Sequence, residues 1–289
     1  MNNGFFFEDS VIIDGDSTHK PLTVTSQSSV QPAILLRLGV FVPNSRAIKK
    51  GSEHVIDVSE SFKSLEFSRQ EGYDDIRIRG ERLNISTDFC VWMGVIGAFS
   101  KYGRPDSNEI TLPFKEFATL CAYESRQLNH RLRTQIFNSL AKLGTKVVQF
   151  QRKDGEGKHF FTHLLKTALM DRVQDTVTLE ADPRLRELYR IDYKILLRKH
   201  PYNILKGKEV AQTLYTYIAS LPDGFAPISF KRIRERLLLT SAVFEQNRLI
   251  KAALKALAEI GYIEYFVTKD GKENILHVQK RNKKLKALV

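Results

Sequence analysis

The sequence comprises 289 residues, 42% of them hydrophobic and 27% charged, which is long enough for two globular domains with separate cores. It contains no apolar run near the ~18 residues that a membrane-spanning helix needs, and its first ten residues lack the basic start of an export signal. The two cysteines, Cys90 and Cys121, are far apart in apolar surroundings. This spacing favours a reduced, cytoplasmic protein with buried thiols over a disulfide framework or a cysteine-based zinc scaffold.

The net charge of +12 is confined to one part of the chain. Residues 1–183 contain 23 Lys and Arg against 23 Asp and Glu, whereas residues 184–289 contain 22 against 10. The difference between 22 and 10 therefore accounts for the whole excess of 12, and it predicts a surface built to bind an extended anion such as nucleic acid. A solvated basic tail is the open alternative, because residues 280–286 supply five of these charges.

Before residue 86 the chain shows few regular elements. Residues 1–31 are polar and aperiodic, which predicts a flexible N-terminal tail. The segment PAILLRLGVFVP (32–43) has the length of a strand or short helix and should be buried, whereas residues 44–70 are polar and loop-like. Alternation over residues 75–83 predicts an edge strand or hairpin that ends at Gly80.

Helix signals begin at residues 86–88, which are good N-cap types, and continue to Gly103. The aromatic residues on this helix, Trp92 and Phe99, are expected to pack in the core. The elements predicted after it are a strand at 109–112, helices at 114–123 and 125–143, a stop at Gly144, a strand at 147–151, a turn at 154–157 and a returning strand at 159–170.

Two features recur in the same order at almost the same offset. LPFKEF (112–117) corresponds to PISFKRI (227–233), with Phe114 and Phe230 116 residues apart. SLAKLGTKVVQF (139–150) corresponds to ALAEIGYIEYFV (256–267), with the glycines 144 and 261 117 residues apart. This pattern indicates tandem copies of one unit, and a helix at 208–221 completes the second copy.

The repeated unit reads helix, short helix, long helix, glycine stop and hairpin, which is the order of a winged helix-turn-helix. The sequence thus predicts an α+β fold with two tandem winged-helix domains related by an internal repeat. The predicted boundaries are a tail at 1–31, an N-terminal winged-helix domain at 32–172, and a bridge plus C-terminal winged-helix domain at 173–289. The bridge lacks a Gly/Ser run, so the two domains are expected to be docked together.

The residues offer little support for catalysis. The glycines of GEGK (155–158) lack the spacing of a phosphate-binding loop and fall between two predicted strands. His159 and His163 share one face of a strand without a third metal ligand in view, and the His-x-His pair of a tyrosine-dependent nickase is missing from the sequence. We therefore expect no enzyme activity, catalytic residue, metal or cofactor.

The long helix of the second copy predicts a DNA-reading surface. Its apolar positions form one stripe, while Arg248, Lys251 and Lys255 stand together on the opposite face. Such a helix can enter a major groove, where Arg or Lys reads guanine and the nearby Gln246 and Asn247 would read adenine. The alternative is a solvated charged face, which most helices have.

Cations on either side of this helix are candidates for phosphate contacts. They lie on the preceding helix and on the hairpin, at Lys231, Arg232, Arg234, Arg236, Lys269 and Lys272. In the first copy the corresponding helix carries Arg131 and Arg133. Whether that helix makes a secondary DNA contact or forms a dimer interface is left open by the sequence.

Several long segments in the same order resemble the RepFIB-type plasmid replication initiators, the RepA/RepB proteins of the initiator RepB superfamily, and more distantly TrfA. The segments are PAILLRLGVFVP, DFCVWMGVIGAFS, LPFKEFATLC, LEADPRLRELY, AQTLYTYIASLP and the ALAEIGY stretch with its following hairpin. The resemblance spans residues 30–280. It implies two winged-helix domains that bind repeated origin sequences, called iterons, in double-stranded DNA.

The resemblance further implies that the C-terminal domain makes the main major-groove contacts and the N-terminal domain serves dimerisation. It implies a homodimer in equilibrium with a monomer, repression of the initiator's own promoter, and recruitment of the host initiator and replicative helicase. It supports Arg248, Lys251 and Lys255 as recognition-helix residues, and Arg131 and Arg133 as first-domain contacts. Two alternatives remain, a transcription regulator without a replication role and a relaxase-type nicking enzyme.

Overall fold

The computed structural model describes residues 27–44, 56–57, 73–104, 107–152, 159–191 and 194–285. The expected tail up to residue 26, nearly all of the polar passage 44–70 and the expected turn at 154–157 lie outside these residues. Among the described helices, none combines the length and the apolar composition that crossing a membrane would require.

The described residues form a mixed α+β fold, as the sequence predicts. In chain order the helices are α1 (Ala33–Arg37), α2 (Asp88–Tyr102), α3 (Phe114–Leu120), α4 (His130–Thr145), α5 (Leu185–Ile191), α6 (Lys199–Ile204), α7 (Glu209–Ala219), α8 (Phe230–Leu237) and α9 (Val243–Glu259). The strands are β1 (Ser28–Pro32), β2 (Phe41–Val42), β3 (Ile56–Asp57), β4 (Tyr73–Arg79), β5 (Leu83–Asn84), β6 (Glu109–Pro113), β7 (Val147–Arg152), β8 (His159–His163), β9 (Thr167–Asp171), β10 (Thr176–Glu180), β11 (Lys194–Arg198), β12 (Ile228–Ser229), β13 (Ile263–Asp270) and β14 (Glu273–Arg281).

The second copy has the predicted element order. Helices α7, α8 and α9 are followed by the β13–β14 hairpin, and the short strand β12 pairs with β14 to give the sheet order β12-β14-β13. The hairpin is antiparallel, with Ile263 opposite Arg281 and Asp270 opposite Glu273. The arrangement of three helices with a three-stranded sheet is a winged helix-turn-helix.

The first copy repeats this topology with a different wing from the predicted one. Its sheet order is β6-β10-β9, which matches β12-β14-β13, so the wing is formed by β9 and β10. The predicted hairpin, β7–β8, instead joins β3 and β4 in a four-stranded sheet of order β3-β4-β7-β8. β4 is thus an inner strand rather than an edge. The error arose because β7–β8 and β13–β14 each directly follow the long helix of their copy with similar apolar alternation. The strands that pair with each hairpin are distant in sequence, so the local pattern does not identify them.

Residues 28–31, which the sequence assigns to the flexible tail, belong to a buried strand. β1 pairs antiparallel with β11, with Ser28 opposite Arg198, and all five of its residues are buried. The Gln31 side chain donates to Ser29 Oγ at 2.8 Å and accepts from Trp92 Nε1 at 2.7 Å. A polar strand can be buried because its side chains and backbone are hydrogen-bonded.

The core of the first copy is organised by α2. Trp92 and Phe99 are fully buried there, as the sequence predicts. The helix begins next to the buried carboxylate of Asp88, which accepts hydrogen bonds from Ser139 Oγ at 2.6 Å and from Lys142 Nζ at 3.3 Å. Since both donors belong to α4, Asp88 ties the first helix of this copy to its long helix. Burial raises the pKa of the Cys121 thiol well above its ordinary value.

The two copies are docked against each other, as the lack of a flexible linker predicts. The segment around α1 packs on α7, and the Arg37 guanidinium donates to the carbonyl oxygen of Ser220 at 2.6 and 3.0 Å. The Glu209 carboxylate at the start of α7 accepts from the Asn84 side chain at 3.0 Å. These contacts position the second copy by hydrogen bonds to both backbone and side-chain groups.

Candidate nucleic-acid interface

The turn between α8 and α9 sets the position of the long helix. The Ser229 side chain caps the start of α8, which ends at Leu238 in the left-handed conformation, with φ 48° and ψ 40°. The Arg82 guanidinium donates to Leu238 O at 3.3 Å. After the turn, the Gln246 amide nitrogen on α9 donates back to Leu239 O at 3.2 Å. The turn carbonyls are thus satisfied by one side chain of α9 and by one from the first copy.

Helix α9 has one buried and one exposed face. Its apolar stripe packs in the core through Ile250, Ala253, Leu254 and Leu257. On the opposite face the Arg248 and Lys255 side chains are 64% and 76% exposed, and Lys251 is exposed between them. The structure therefore brings together the three cations that the sequence singles out. Their spacing fits insertion of one helix face into a major groove.

Arg248 is paired with an acidic neighbour. Its Nε lies 2.9 Å from Glu245 Oε2, in an exposed pair three residues apart on the helix. Exposed pairs of this kind contribute at most about 1 kcal/mol. Arg248 can therefore exchange Glu245 for a guanine edge at little energetic cost.

Lys269 and Lys272 lie at the tip of the β13–β14 hairpin. Lys269 is opposite Asn274, near the end of the ladder, and both lysines are exposed. The turn uses Gly271 with φ 56°, a conformation that favours glycine. The wing thus extends two cations into solvent beyond the sheet.

Arg234 and Asn247 are used differently from the prediction. The Arg234 side chain is 13% exposed, and its Nη1 donates to Asn247 Oδ1 at 2.7 Å. The same guanidinium forms two bonds with the Glu273 carboxylate, at 3.1 and 3.2 Å. The bond from Arg234 is the main cause of the lowered pKa of Glu273. Arg234 thus joins α8, α9 and β14 in this structure, which leaves its guanidinium engaged within the fold rather than presented for the predicted phosphate contact.

Arg236 and Gln246 are also structural residues in this fold. The Arg236 side chain is buried, and its guanidinium donates to Leu36 O at 2.6 and 3.1 Å and to Phe41 O at 3.5 Å. Burial lowers the pKa of Arg236 to about 10. Gln246 is buried and donates to Leu239 O and Ser241 O. Neither side chain is available to DNA, since its polar groups hold backbone carbonyls.

The remaining flanking cations of the second copy are accessible. Lys231 and Arg232 are exposed in the first turn of α8, next to the helix N-terminus. The backbone N–H of Lys231 donates to Glu273 Oε1 at 3.1 Å, which leaves the ammonium group outside this bond. Both side chains have the exposure that a phosphate contact requires.

In the first copy, the two candidate arginines on α4 differ. Arg131 is exposed. Arg133 is partly buried, with Nη1 at 2.5 Å from Asp175 Oδ1 and its guanidinium 4.0 Å from the centre of the Phe114 ring. Arg133 therefore ties α4 to the turn before β10 and to α3, which makes Arg131 the more accessible of the two.

Part of the basic tail is folded onto the second copy. Arg281 is nearly buried, donates to Ile218 O and Leu221 O, and pairs with Asp223 at 2.6 Å. Lys283 also pairs with Asp223, at 2.7 Å. These residues stabilise the end of the fold, so the charge excess is more than a solvated tail.

Comparison with known proteins identifies the family. Residues 93–219 match the family described as Initiator Replication protein, WH1. Replication protein RepA of Escherichia coli is 48% identical over 285 residues, covering 98% of this chain and 99% of the relative. RepFIB replication protein A of Salmonella typhi is 41% identical over 270 residues, covering 92% of this chain and 83% of the relative.

A solved structure supports the fold alone. The crystal structure of domains 2 and 3 of RctB superposes with a TM-score of 0.52, covering 86% of this chain and 98% of that chain at 13% identity. Because the relatives that are 48% and 41% identical cover nearly the whole chain, the chain belongs to the RepA and RepFIB family of plasmid replication initiators. These are DNA-binding proteins of the winged-helix type.

Proposed function

We propose that this initiator binds iterons in double-stranded origin DNA through α9 of the second copy, with Arg248, Lys251 and Lys255 in the major groove. The observation that carries the proposal is the exposed cationic face of α9, opposite a fully buried face. Lys231, Arg232, Lys269 and Lys272 would contact phosphates on either side. Phosphate contacts would supply affinity and the α9 face would supply specificity.

The proposed division of labour assigns different roles to the two copies. The C-terminal winged helix would make the main DNA contact, whereas the N-terminal one would serve dimerisation and a secondary contact through Arg131. The polarised charge supports this division, because residues 1–183 have equal numbers of acidic and basic side chains. We further propose that monomers initiate replication, and that dimers repress the initiator's own promoter.

The chain is proposed to act without catalysis of its own and to recruit the host initiator and replicative helicase. Incubation of supercoiled origin DNA with the protein and Mg²⁺ should leave it supercoiled. Open circles with protein attached would instead establish a nicking enzyme. A plasmid that carries only this gene and its flanking DNA should be maintained in a host that cannot otherwise replicate it, and loss of the plasmid would favour a transcription regulator.

The assignment of α9 is tested by binding to two duplexes. Footprinting on the DNA that flanks the gene defines the specific duplex, and a scrambled duplex of the same composition serves as the reference. Arg248→Ala or Lys251→Ala should weaken specific binding about 5- to 150-fold, since one bidentate base contact contributes ~1–3 kcal/mol. Binding to the scrambled duplex should change much less.

Lys272→Ala is the matched contrast for this experiment. It removes a wing cation and should weaken binding to both duplexes by a similar factor. Equal losses on both duplexes for Arg248→Ala and Lys251→Ala would show that α9 contacts only phosphates, which would contradict the proposal.

A further inference from the structure

Phe244 exposes a large apolar side chain at the start of α9. Its relative exposure is 76%, although it lies in the first turn of a helix whose opposite face is fully buried. A phenylalanine is ordinarily buried, because transfer of its ring out of water is favourable. An aromatic ring held in solvent on a DNA-binding helix indicates a contact that forms only in the complex.

Phe244 shares a face with the three cations of α9. It precedes Arg248, Lys251 and Lys255 by four, seven and eleven residues. With about 3.6 residues per turn, these spacings align all four side chains along one side of the helix. Phe244 is the residue of this row nearest the helix N-terminus, the end from which recognition helices contact base edges.

The amide side chains expected to read adenine are held elsewhere. The Gln246 amide nitrogen donates to turn carbonyls, and Asn247 Oδ1 accepts from Arg234 at 2.7 Å. The exposed side of α9 presents cations, which suit guanine, the acidic partners Glu245 and Glu259, the small side chain of Ala252 and one aromatic ring. The apolar group that a base pair offers in the major groove is the C5-methyl of thymine.

We propose that Phe244 is a specificity-determining residue that packs against a thymine C5-methyl group in the major groove. The inference rests on the proposed function, because it requires α9 to enter that groove. It adds recognition of an A·T pair by apolar contact to the recognition of guanine by cations. Val243, which is 56% exposed, lies on another side of the helix and is the matched control.

The probe is the footprinted duplex from the DNA flanking the gene, made with either thymidine or deoxyuridine. Deoxyuridine pairs identically and lacks only the methyl group. The wild-type protein should bind the uracil duplex about four- to fifteenfold more weakly, as expected for the loss of one or two buried methyl contacts. Phe244→Ala should bind the thymine duplex more weakly than wild type and bind both duplexes equally.

Control variants separate the methyl contact from general effects of uracil on DNA shape. Val243→Ala should keep the wild-type ratio between the two duplexes. Arg248→Ala should weaken binding to both and keep the same ratio, since it removes a different contact. Phe244→Leu retains an apolar side chain and should restore part of the discrimination. Single thymine-to-uracil replacements should then locate the effect at one or two positions.

The proposal is overturned if Phe244→Ala retains the wild-type ratio, or if the wild-type protein binds both duplexes equally. A change in oligomeric state by Phe244→Ala, with the ratio unchanged, would assign the ring to a protein interface and would also overturn it. A different result would contradict the proposed function. In that case the wild-type protein would bind the specific and the scrambled duplex equally.

Discussion

Lys146 brings an ammonium group into the interior of the first copy. Its side chain is 1% exposed, and its Nζ donates to Gly80 O at 3.0 Å. Gly80 has φ 108°, and a Cβ atom there would lie 2.2 Å from Thr145 O. Glycine is thus required for the close approach that gives Lys146 its acceptor. Burial lowers the pKa of Lys146 to about 8.

The lowered pKa predicts a pH-dependent stability difference between Lys146→Met and wild type. The ordinary pKa is 10.5 and the folded value about 8, so the folded wild type releases its proton first and gains stability as the pH rises through this window. The free energy of unfolding of Lys146→Met minus that of wild type should be constant below about pH 7. It should fall by about 2 kcal/mol by about pH 9.5.

Denaturant unfolding of both proteins across this pH range measures the difference. Lys115→Met replaces an exposed lysine on α3 and should leave the pH profile unchanged. A constant difference between Lys146→Met and wild type up to pH values of about 9.5 would show that the folded lysine keeps its ordinary pKa.

Arginine occurs both on the proposed DNA-binding face and inside the fold of this molecule, and only the surroundings of each side chain distinguish the two positions. Arg248 and Arg234 both lie in the helix-turn-helix, but Arg248 is 64% exposed and Arg234 13%. Arg234 is held by Glu273 and Asn247 together. A charged hydrogen bond at a partly buried site contributes more than an exposed ion pair, so Arg234 is committed to the fold.

At the scale of elements, the two copies differ most in their wings. In the second copy, the wing directly follows α9 and carries Lys269 and Lys272 near its tip. In the first copy, β7 and β8 are inserted between α4 and the wing, whose edge strand β9 exposes Leu169. The tip of the first wing exposes Arg172 beside the apolar Val173, whereas the tip of the second presents two lysines.

The wing lysines should contribute to the salt dependence of binding. Each phosphate contact lowers the slope of log K against log salt concentration by about one unit. Lys269→Ala and Lys272→Ala should therefore each make the slope shallower by about one, equally on the specific and scrambled duplexes. Titrations at several salt concentrations give the slopes.

Lys280→Ala is the control within the same hairpin. Lys280 lies at the opposite end from the tip, and its Nζ is 3.0 Å from Glu264 Oε1. Its removal should leave the slope unchanged. If Lys269→Ala and Lys272→Ala also leave it unchanged, the wing does not contact phosphates.

At the scale of the whole molecule, arginines join the two copies through backbone carbonyls. Arg37 of the first copy bonds to Ser220 O, and Arg236 of the second bonds to Leu36 O and Phe41 O. Arg82 bridges Pro43 O and Leu238 O. The helix-turn-helix is therefore attached directly to the N-terminal part of the chain, and its orientation depends on that part.

Arg236→Ala should destabilise the protein without changing the salt dependence of DNA binding. It leaves buried carbonyl groups without their donor, which should lower the free energy of unfolding by about 1–3 kcal/mol. Arg232→Ala, four residues earlier on α8, should show the opposite pattern, with stability unchanged and the salt slope shallower by about one. Chemical denaturation and salt titration of both variants provide the comparison.

A shallower salt slope for Arg236→Ala with unchanged stability would return this residue to the DNA-contacting set. The comparison separates cations that could contact phosphate from cations that hold the fold. Four arginines and lysines lie within the short helix α8. The structure divides them into exposed Lys231 and Arg232, and largely buried Arg234 and Arg236.

Features that depend only on neighbouring residues were predictable from the amino-acid sequence. The amphipathic pattern of α9, its glycine stop and the following hairpin are set by helical period, capping and turn chemistry, all of which act over a few residues. The repeat and the location of the charge excess are likewise properties of residue order alone. The exposed face of Arg248, Lys251 and Lys255 was predictable for this reason.

Which polar side chains are buried and hydrogen-bonded within the protein depends instead on contacts between distant segments. Arg234 meets Glu273 39 residues away, and Arg236 meets Leu36 200 residues away. Two strand pairings also join distant segments. The pairing of β1 with β11 places residues 28–31 in a strand instead of the predicted tail, and the pairing of β10 with β6 makes β9–β10 the first wing instead of β7–β8. A local pattern cannot specify such partners, because burial and hydrogen bonding of a side chain depend on what the folded chain brings beside it.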